Sequence, residues 1–139
     1  MTLKPAIPAL PCRDMAAAVE VYRERFGFEA LHHDGGFAVL QRDAARLHLW
    51  QSADESWRSR DDLRERPVRS GAESFLSGTA SCRIEVDGVD ALFEELSGAG
   101  VLHHTVRGVR ATDFGTREFA TVDLDNNLLE FFSWVASSS

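Results

Sequence analysis

Residues 117–132, REFATVDLDNNLLEFF, give the clearest indication of how this chain folds. Its first half alternates apolar and polar side chains, with the period of two that a half-buried strand requires. Residues 125–127, Asp-Asn-Asn, predict a turn, because short Asp and Asn side chains hydrogen-bond to nearby backbone and tolerate left-handed conformations. An apolar run with a single acid, Glu130, follows the turn. The stretch therefore predicts a strand, a turn and a second strand.

The same pattern occurs earlier, in FAVLQRDAARLHLW at residues 37–50. When the two stretches are aligned without gaps, Phe37 falls on Phe119 and His48 falls on Glu130. Each stretch is preceded by a helix pattern, and each helix pattern by a strand pattern. The sequence therefore predicts an α+β fold made of two βαβββ repeats. One repeat alone cannot bury its apolar face, so we expect the repeats to pack on each other or on a second chain.

Both helix patterns carry an apolar stripe behind a candidate N-cap. Asp14 and Asp87 are the predicted caps, because Asp accepts hydrogen bonds from the first free N–H groups of a helix. The remaining strands are predicted at residues 6–12, 28–32, 81–86 and 101–106, and a loop at 107–116. The stripes are formed by Met15, Val19, Tyr22 and Phe26, and by Val89, Leu92, Phe93 and Leu96.

Composition limits the function classes. The 139 residues are enough for one domain, with repeats at 5–50 and 79–135, a connector at 51–78 and a disordered tail at 136–139. A net charge of −7 argues against nucleic acid and permits a cationic small molecule. No run is long enough for a membrane helix, and residues 1–10 do not resemble a secretion signal. We expect a cytoplasmic protein with Cys12 and Cys82 as reduced thiols.

The connector at 51–78 interrupts the repeat pattern. It is charged, and a short helix is predicted near residues 61–65. It is either a solvated linker or a loop that covers a cleft, and Trp57 and Phe75 are large apolar side chains for a plain linker.

Three stretches resemble the vicinal oxygen chelate superfamily, which includes glyoxalase I, extradiol dioxygenases and bleomycin-resistance proteins. They are LPCRDMAAAVEVYRERFGFE, FAVLQRDAARLHLW and GTREFATVDLDNNLLEFF. The resemblance implies paired βαβββ units in curved mixed sheets. It also implies four positions around a divalent metal, at Ile7, His48, Ser81 and Glu130. Ile7 has no donor atom and Ser81 a weak one, whereas a catalytic metal normally takes about three protein ligands. His48 and Glu130 therefore form a metal pair, a polar pair that orients a ligand, or a structural pair.

The bleomycin-resistance branch of the superfamily has lost the metal ligands in the same way. This chain resembles it in length, acidity and a final G-x-R-E-F motif, at residues 115–119. The resemblance implies antibiotic resistance without catalysis, metal or cofactor. It further implies a homodimer that exchanges its first strands and has two grooves, each of which holds one cationic glycopeptide of the bleomycin type.

Such a drug needs aromatic faces for its flat bithiazole and acids near its positive tail. Phe37 matches a groove aromatic of the branch, Phe114 lies where Trp is frequent, and Trp50 replaces a small Ser. Ordinary core packing is the alternative role for each aromatic. The candidate ligand-binding residues are Phe37, His48, Trp50, Trp57, Phe75, Phe114 and Glu130, with Asp34, Asp61, Asp62 and Glu65 as sources of negative potential.

Three functions remain open on the sequence. The first is metal-free sequestration of a bleomycin-like drug by a dimer. The second is a metal-dependent lyase, dioxygenase or transferase that uses His48 and Glu130. The third is a superfamily member with another small ligand or a structural role.

Overall fold

The computed structural model of the chain describes residues 1–52, 59, 61–62, 64–66 and 78–135. The predicted helix near 61–65 is only partly described; within it the Arg66 N–H donates to the Asp62 carbonyl at 2.8 Å. No helix of the described residues is long and apolar enough to cross a membrane. The elements are β1 Ala9–Cys12, α1 Met15–Glu24, β2 Glu29–His33, β3 Phe37–Arg42, β4 Ala45–Gln51, β5 Ser81–Glu85, α2 Val89–Ala99, β6 Arg110–Ala111, β7 Thr116–Val122 and β8 Leu128–Trp134.

The strands form two four-stranded mixed sheets, one from each repeat. Their orders are β1-β4-β3-β2 and β5-β8-β7-β6, with the outer β1 and β5 parallel to the last strands of their repeats. Each helix packs on the sheet of its own repeat, and the buried side chains form one core cluster. The two predicted βαβββ repeats are thus confirmed.

Helix α1 follows the sequence pattern closely. The Asp14 carboxylate accepts the Ala17 N–H at 3.1 Å, which confirms the predicted cap. Tyr22 lies on the helix face turned to the core, Phe26 packs into the core just after the helix, and neither is more than 1% exposed. Gly27, at φ 74°, reverses the chain after the helix, a left-handed conformation that suits glycine.

Helix α2 begins differently from the prediction. Its N-cap is Gly88, which has no side chain to bond the free N–H groups, so the prediction of Asp87 as the cap was wrong by one residue. Asp90 lies in the first turn instead, where a carboxylate interacts favourably with the helix dipole. The helix ends at Gly100 with φ 73°.

Two strand predictions also need correction. Residues 101–106 are not a strand, because Leu102 makes only an isolated bridge to Thr121. The chain then turns, with the Val106 N–H bonded to the His103 carbonyl at 3.0 Å and the His103 ring 2.8 Å from the Thr105 hydroxyl. The edge strand is instead the short β6. Strand β1 begins at Ala9 rather than at residue 6, so Ile7 lies outside it.

The gapless alignment of the two hairpins is correct for their second strands and shifted by one residue in their first strands. Phe37 pairs with Trp50 in the first hairpin, whereas Glu118 pairs with Phe132 in the second. The second turn is one residue longer, because its closing pair is the Asp123 N–H bonded to the Asn127 carbonyl at 3.0 Å. Glu118 is therefore the structural equivalent of Phe37. A shift of one residue exchanges the two faces of a strand, so Phe119 is buried on the helix side.

The turn between β7 and β8 ties the second repeat to the first. Asp123 is only 6% exposed, and its carboxylate accepts the Tyr22 hydroxyl at 2.7 Å and the Asn127 side-chain amide at 3.0 Å. The same Asn127 amide donates to the Pro11 carbonyl at 2.7 Å. The buried Asp125 accepts the Arg13 backbone N–H at 2.9 Å. The polar residues that predict the turn therefore also hold the repeats together.

Candidate functional site

The first sheet carries an aromatic face on the side away from α1. Phe37 lies on β3, and its ring centroid is 4.5 Å from that of Trp50 on β4. His48, also on β4, meets Phe37 edge to face at 5.0 Å. The three side chains are half-buried. They lie on the opposite face of the sheet from the alternate residues of both strands, which point into the core. The predicted Phe37, His48 and Trp50 thus form one surface that a flat ligand can stack on.

Charge on the aromatic face is set by its histidine and by one acid. Burial, and secondarily the Arg46 cation, lower the pKa of His48, so its imidazole is neutral at pH 7. Asp34 accepts the backbone N–H groups of Gly36 at 2.8 Å and Phe37 at 2.9 Å. These hydrogen bonds, with one from His32, lower the pKa of Asp34 and keep it ionised. The predicted negative charge of Asp34 is therefore held beside Phe37.

The equivalent face of the second sheet is charged rather than aromatic. Arg83 on β5 donates to Glu118 at 2.7 Å and also bonds Glu130, while its guanidinium lies 4.7 Å from the Phe132 ring centroid. These bonds raise the pKa of Arg83, with the Glu118 bond as the largest cause. Two carboxylates thus share one arginine. Arg110, whose side chain is 80% exposed, lies 3.9 Å from Glu118 at the rim.

A cavity of about 720 Å³ opens above this charged face. Its floor includes Glu118 and Glu130, and its side is the segment at 103–110 that was predicted partly as strand and partly as loop. Arg107 and Arg110 of this segment line the cavity, so its rim is basic while its floor carries the paired acids. The volume falls in the range of small-molecule sites, about 300–1,000 Å³.

The residues do not fit the metal centre that the resemblance implies. Glu130 is bonded to Arg83, which takes up the carboxylate that an ion would need. The residue beside His48 on the neighbouring strand is Ala9, which has no donor side chain. Across the described parts of the chain, no three His, Cys, Asp or Glu side chains lie close enough to hold a metal ion. His48 and Glu130 lie on different sheets, and no hydrogen bond joins these two side chains.

The remaining predicted site residues are not brought to these faces. Phe114 is 60% exposed in the turn before β7 and does not line the cavity. Trp57 and Phe75 lie outside the described residues, so their roles stay predictions. Arg83 and Phe132 were missed by the sequence reasoning. Alignment of the two hairpins could have identified Phe132, because it occupies the position equivalent to Trp50. Nothing in the local sequence indicates the role of Arg83.

The two thiols, Cys12 and Cys82, are free cysteines, as predicted. Burial raises the pKa of Cys12 to about 12 and that of Cys82 to about 11, with nearby Asp carboxylates adding to both shifts. A thiol with so high a pKa is protonated at pH 7 and is a poor nucleophile. Burial therefore disfavours the reactive thiolate form of both cysteines.

The fold is similar to those of several solved structures with different names. The bleomycin-binding protein of Streptomyces verticillus, solved as a complex with copper(II)-bleomycin, is 26% identical, with a TM-score of 0.71 over 99% of both chains. Lactoylglutathione lyase from Agrobacterium tumefaciens is 21% identical, with a TM-score of 0.68 over 96% of both chains, and this likeness concerns the fold alone.

Comparison by sequence finds relatives that share nearly the whole chain. The proteins named bleomycin resistance protein from Geobacillus stearothermophilus and Staphylococcus aureus are each 45% identical over 132 residues, which is 95% of this chain and 98% of theirs. The sequence model of the Glyoxalase/Bleomycin resistance protein/Dioxygenase superfamily matches residues 5–131. The chain therefore belongs to the Glyoxalase/Bleomycin resistance protein/Dioxygenase superfamily.

Proposed function

We propose that this protein binds a cationic glycopeptide antibiotic of the bleomycin family and holds it unmodified, so that the free drug concentration falls and the cell is resistant. The observation that carries the proposal is 45% identity to proteins named bleomycin resistance protein, over 95% of the chain. The copper(II)-bleomycin complex of the similar Streptomyces protein supports it. Two free thiols support a reducing compartment, and we propose that the protein acts in the cytoplasm.

The aromatic face supports stacking of the flat part of such a drug. Phe37 and Trp50 present neighbouring rings, and the neutral His48 completes the surface without adding a positive charge. Asp34 lies at the edge of the same surface as an ionised acid, which favours the positive tail. The strands and the turn already hold these side chains in place, so little conformational entropy would be lost when the drug binds.

The charged face and its cavity provide the other wall of the proposed groove. Aromatic and charged faces occupy equivalent positions of the two sheets, yet each sheet packs mainly on its own helix. We propose that a homodimer places the aromatic face of one protomer opposite the charged face of its partner, which gives two identical grooves. Leu3 is 93% exposed and Ile7 is 41% exposed, so the segment before β1 is available to exchange between protomers, whereas β1 itself pairs with β4 of its own chain.

The groups present support sequestration without chemistry. The carboxylates of the cavity floor are paired with Arg83, and no described side chain hydrogen-bonds to the His48 ring to orient a proton transfer. Holding a ligand requires no more than complementary faces, and the aromatic and charged faces of the two sheets are suited to that role.

Isothermal titration calorimetry with metal-free and copper(II)-loaded bleomycin tests the proposal. We expect a dissociation constant below about 1 μM, corresponding to roughly −8 kcal/mol, with one drug per chain. Mass spectrometry of the drug released after incubation should show an unchanged mass. Absence of heat at about 100 μM protein and drug, which means binding weaker than roughly −5.5 kcal/mol, would refute drug sequestration. A change in drug mass would refute binding without modification.

A further inference from the structure

A second cavity, of about 320 Å³, lies at the junction of the two repeats and shares no lining residue with the first. We call it the junction cavity. Its floor is apolar, with the buried rings of Phe26, Phe28 and Phe131 and the half-buried Ile84 and Leu92. The first two rings follow α1, and the other side chains come from the second sheet and α2. The junction cavity therefore lies on the helix side of the sheets, away from the proposed drug groove.

One wall of the junction cavity is an arginine whose charge is already satisfied. Arg42 donates to both carboxylate oxygens of Glu95 on α2, at 2.6 and 2.8 Å, and to the Phe26 carbonyl at 2.8 Å. Gly27 makes this possible, since a Cβ there would lie 3.0 Å from the Arg42 guanidinium. Arg42 therefore lines one side of the junction cavity and links the first repeat to the second. Its positive charge is neutralised by Glu95.

The rim of the junction cavity is acidic. Three exposed acids line it: Asp43 in the turn between β3 and β4, Glu85 at the end of β5, and Asp87 before α2. Arg42 is the only base among the described residues that line it, and that base is paired with Glu95. Acids around a low-dielectric floor concentrate a negative potential at the opening. The acidic rim therefore favours a cationic ligand, and the apolar floor favours a ligand with an apolar part.

We propose that the junction cavity binds a small amphipathic cation, namely an aromatic ring carried on a short alkylammonium chain. The ring fills the floor between Phe28 and Phe131, and the ammonium reaches Asp43 and Asp87 at the opening. A volume of about 320 Å³ accommodates a molecule of roughly ten heavy atoms but not a glycopeptide. Because the ligand contacts both repeats, its binding stabilises the folded chain through linkage.

Phenethylammonium is the probe, with phenylacetate and 2-phenylethanol as ligands of the same shape but different charge. Titration of ¹⁵N-labelled full-length protein, followed by NMR, should give a dissociation constant below about 1 mM for phenethylammonium. Shifts should map to residues 42–45 and 84–87. We expect at least about tenfold weaker binding of the neutral and anionic analogues, and weaker binding of the cation at high salt.

Two variants separate the charge from the cavity. The double variant Asp43→Asn/Asp87→Asn should weaken phenethylammonium binding about fivefold, whereas Glu94→Gln, an exposed acid of α2 outside the lining, should leave it unchanged. Ala44→Phe lies at an exposed turn position of the opening, so it should block binding without disturbing the core. Circular dichroism confirms that each variant is folded.

Equal binding of the three probes, binding weaker than about 10 mM, or shifts confined to the first cavity would overturn the proposal. It would also be overturned if light scattering showed that Ala44→Phe prevents dimerisation, because the surface would then belong to a second copy of the chain. Drug binding by calorimetry is measured on the same variants and should not change. The two proposed sites therefore succeed or fail independently.

Discussion

The Tyr22 hydroxyl donates a hydrogen bond of 2.7 Å to the Asp123 carboxylate, although the two residues are 101 positions apart. Tyr22 is fully buried on α1 of the first repeat, and Asp123 opens the β7–β8 turn of the second. Asp123 also accepts backbone N–H groups of its own turn, from Asp125 and Asn127, both at 2.9 Å. One carboxylate thus shapes the turn and joins the repeats.

Tyr22→Phe removes this hydroxyl and leaves the ring packing intact. We expect the free energy of unfolding to fall by roughly 2 kcal/mol, the range for a buried hydrogen bond to a charged group. Urea denaturation followed by circular dichroism measures the change. A double-mutant cycle with Asp123→Asn should show coupling of about 1 kcal/mol or more. Additive losses in the cycle would mean that the bond contributes nothing specific.

Asp125→Asn should make the protein more stable at neutral pH. One Asp125 oxygen accepts the Arg13 N–H, while the other is buried without a hydrogen-bond partner among the described residues. Burial raises the pKa of Asp125, so the folded state holds this proton more tightly than the unfolded state. The tighter proton binding by folded Asp125 therefore contributes fully to the free energy of unfolding below the unfolded pKa of about 3.9. This contribution is lost as the pH rises through the folded pKa.

The Asp125→Asn substitution keeps the acceptor for Arg13 and places a neutral amide donor near Asp123 and Asp14, the acids that add to the shift. We expect a gain of about 1 kcal/mol at pH 7 that disappears near pH 3.5. Urea denaturation of both proteins at several pH values measures it. A gain that is constant with pH would show that titration of Asp125 is not its cause.

The repeats were predictable because alternation in strands and the 3.6-residue period in helices are local properties of a sequence. The structural equivalence of Phe37 and Glu118 was not predictable. It depends on the second turn, which the hydrogen bond between Asp123 and Asn127 closes with one more residue than the first turn has. Composition gives no signal of such an insertion when both turns are polar.

The charged face was less predictable than the aromatic face. Arg83 is 35 residues from Glu118 and 47 from Glu130 in the sequence, and only the register of β5 beside β8 brings them together. Phe37 and Trp50 belong to a single hairpin, so local pairing alone places their rings side by side. Sites made within one hairpin are therefore visible in the sequence, and sites made across strands that are distant in sequence are not.

Phe37→Leu tests the stacking role of the aromatic face. Leucine keeps an apolar contact with Trp50 but offers no ring, so the affinity for bleomycin should fall about tenfold, as expected when an aromatic contact of about 1–1.5 kcal/mol is lost. Calorimetry measures it. Leu124→Ala, an exposed side chain at the tip of the β7–β8 turn, is the matched control and should not change the affinity. Unchanged affinity of Phe37→Leu would place the drug elsewhere.

Arg83→Met tests the balance of charge in the cavity floor. Methionine retains an apolar stem over Phe132 but leaves Glu118 and Glu130 without their shared counterion. Two neighbouring carboxylates then attract a cationic drug more strongly, so we expect about fivefold tighter binding at 50 mM salt and a smaller gain at 300 mM. The same repulsion should lower the free energy of unfolding at pH 7 by about 1 kcal/mol, and by less at 300 mM salt. Arg117→Met, which breaks the exposed pair with Asp90, is the control. If Arg83→Met weakens binding instead, Arg83 itself contacts the drug and the acids do not attract its positive tail.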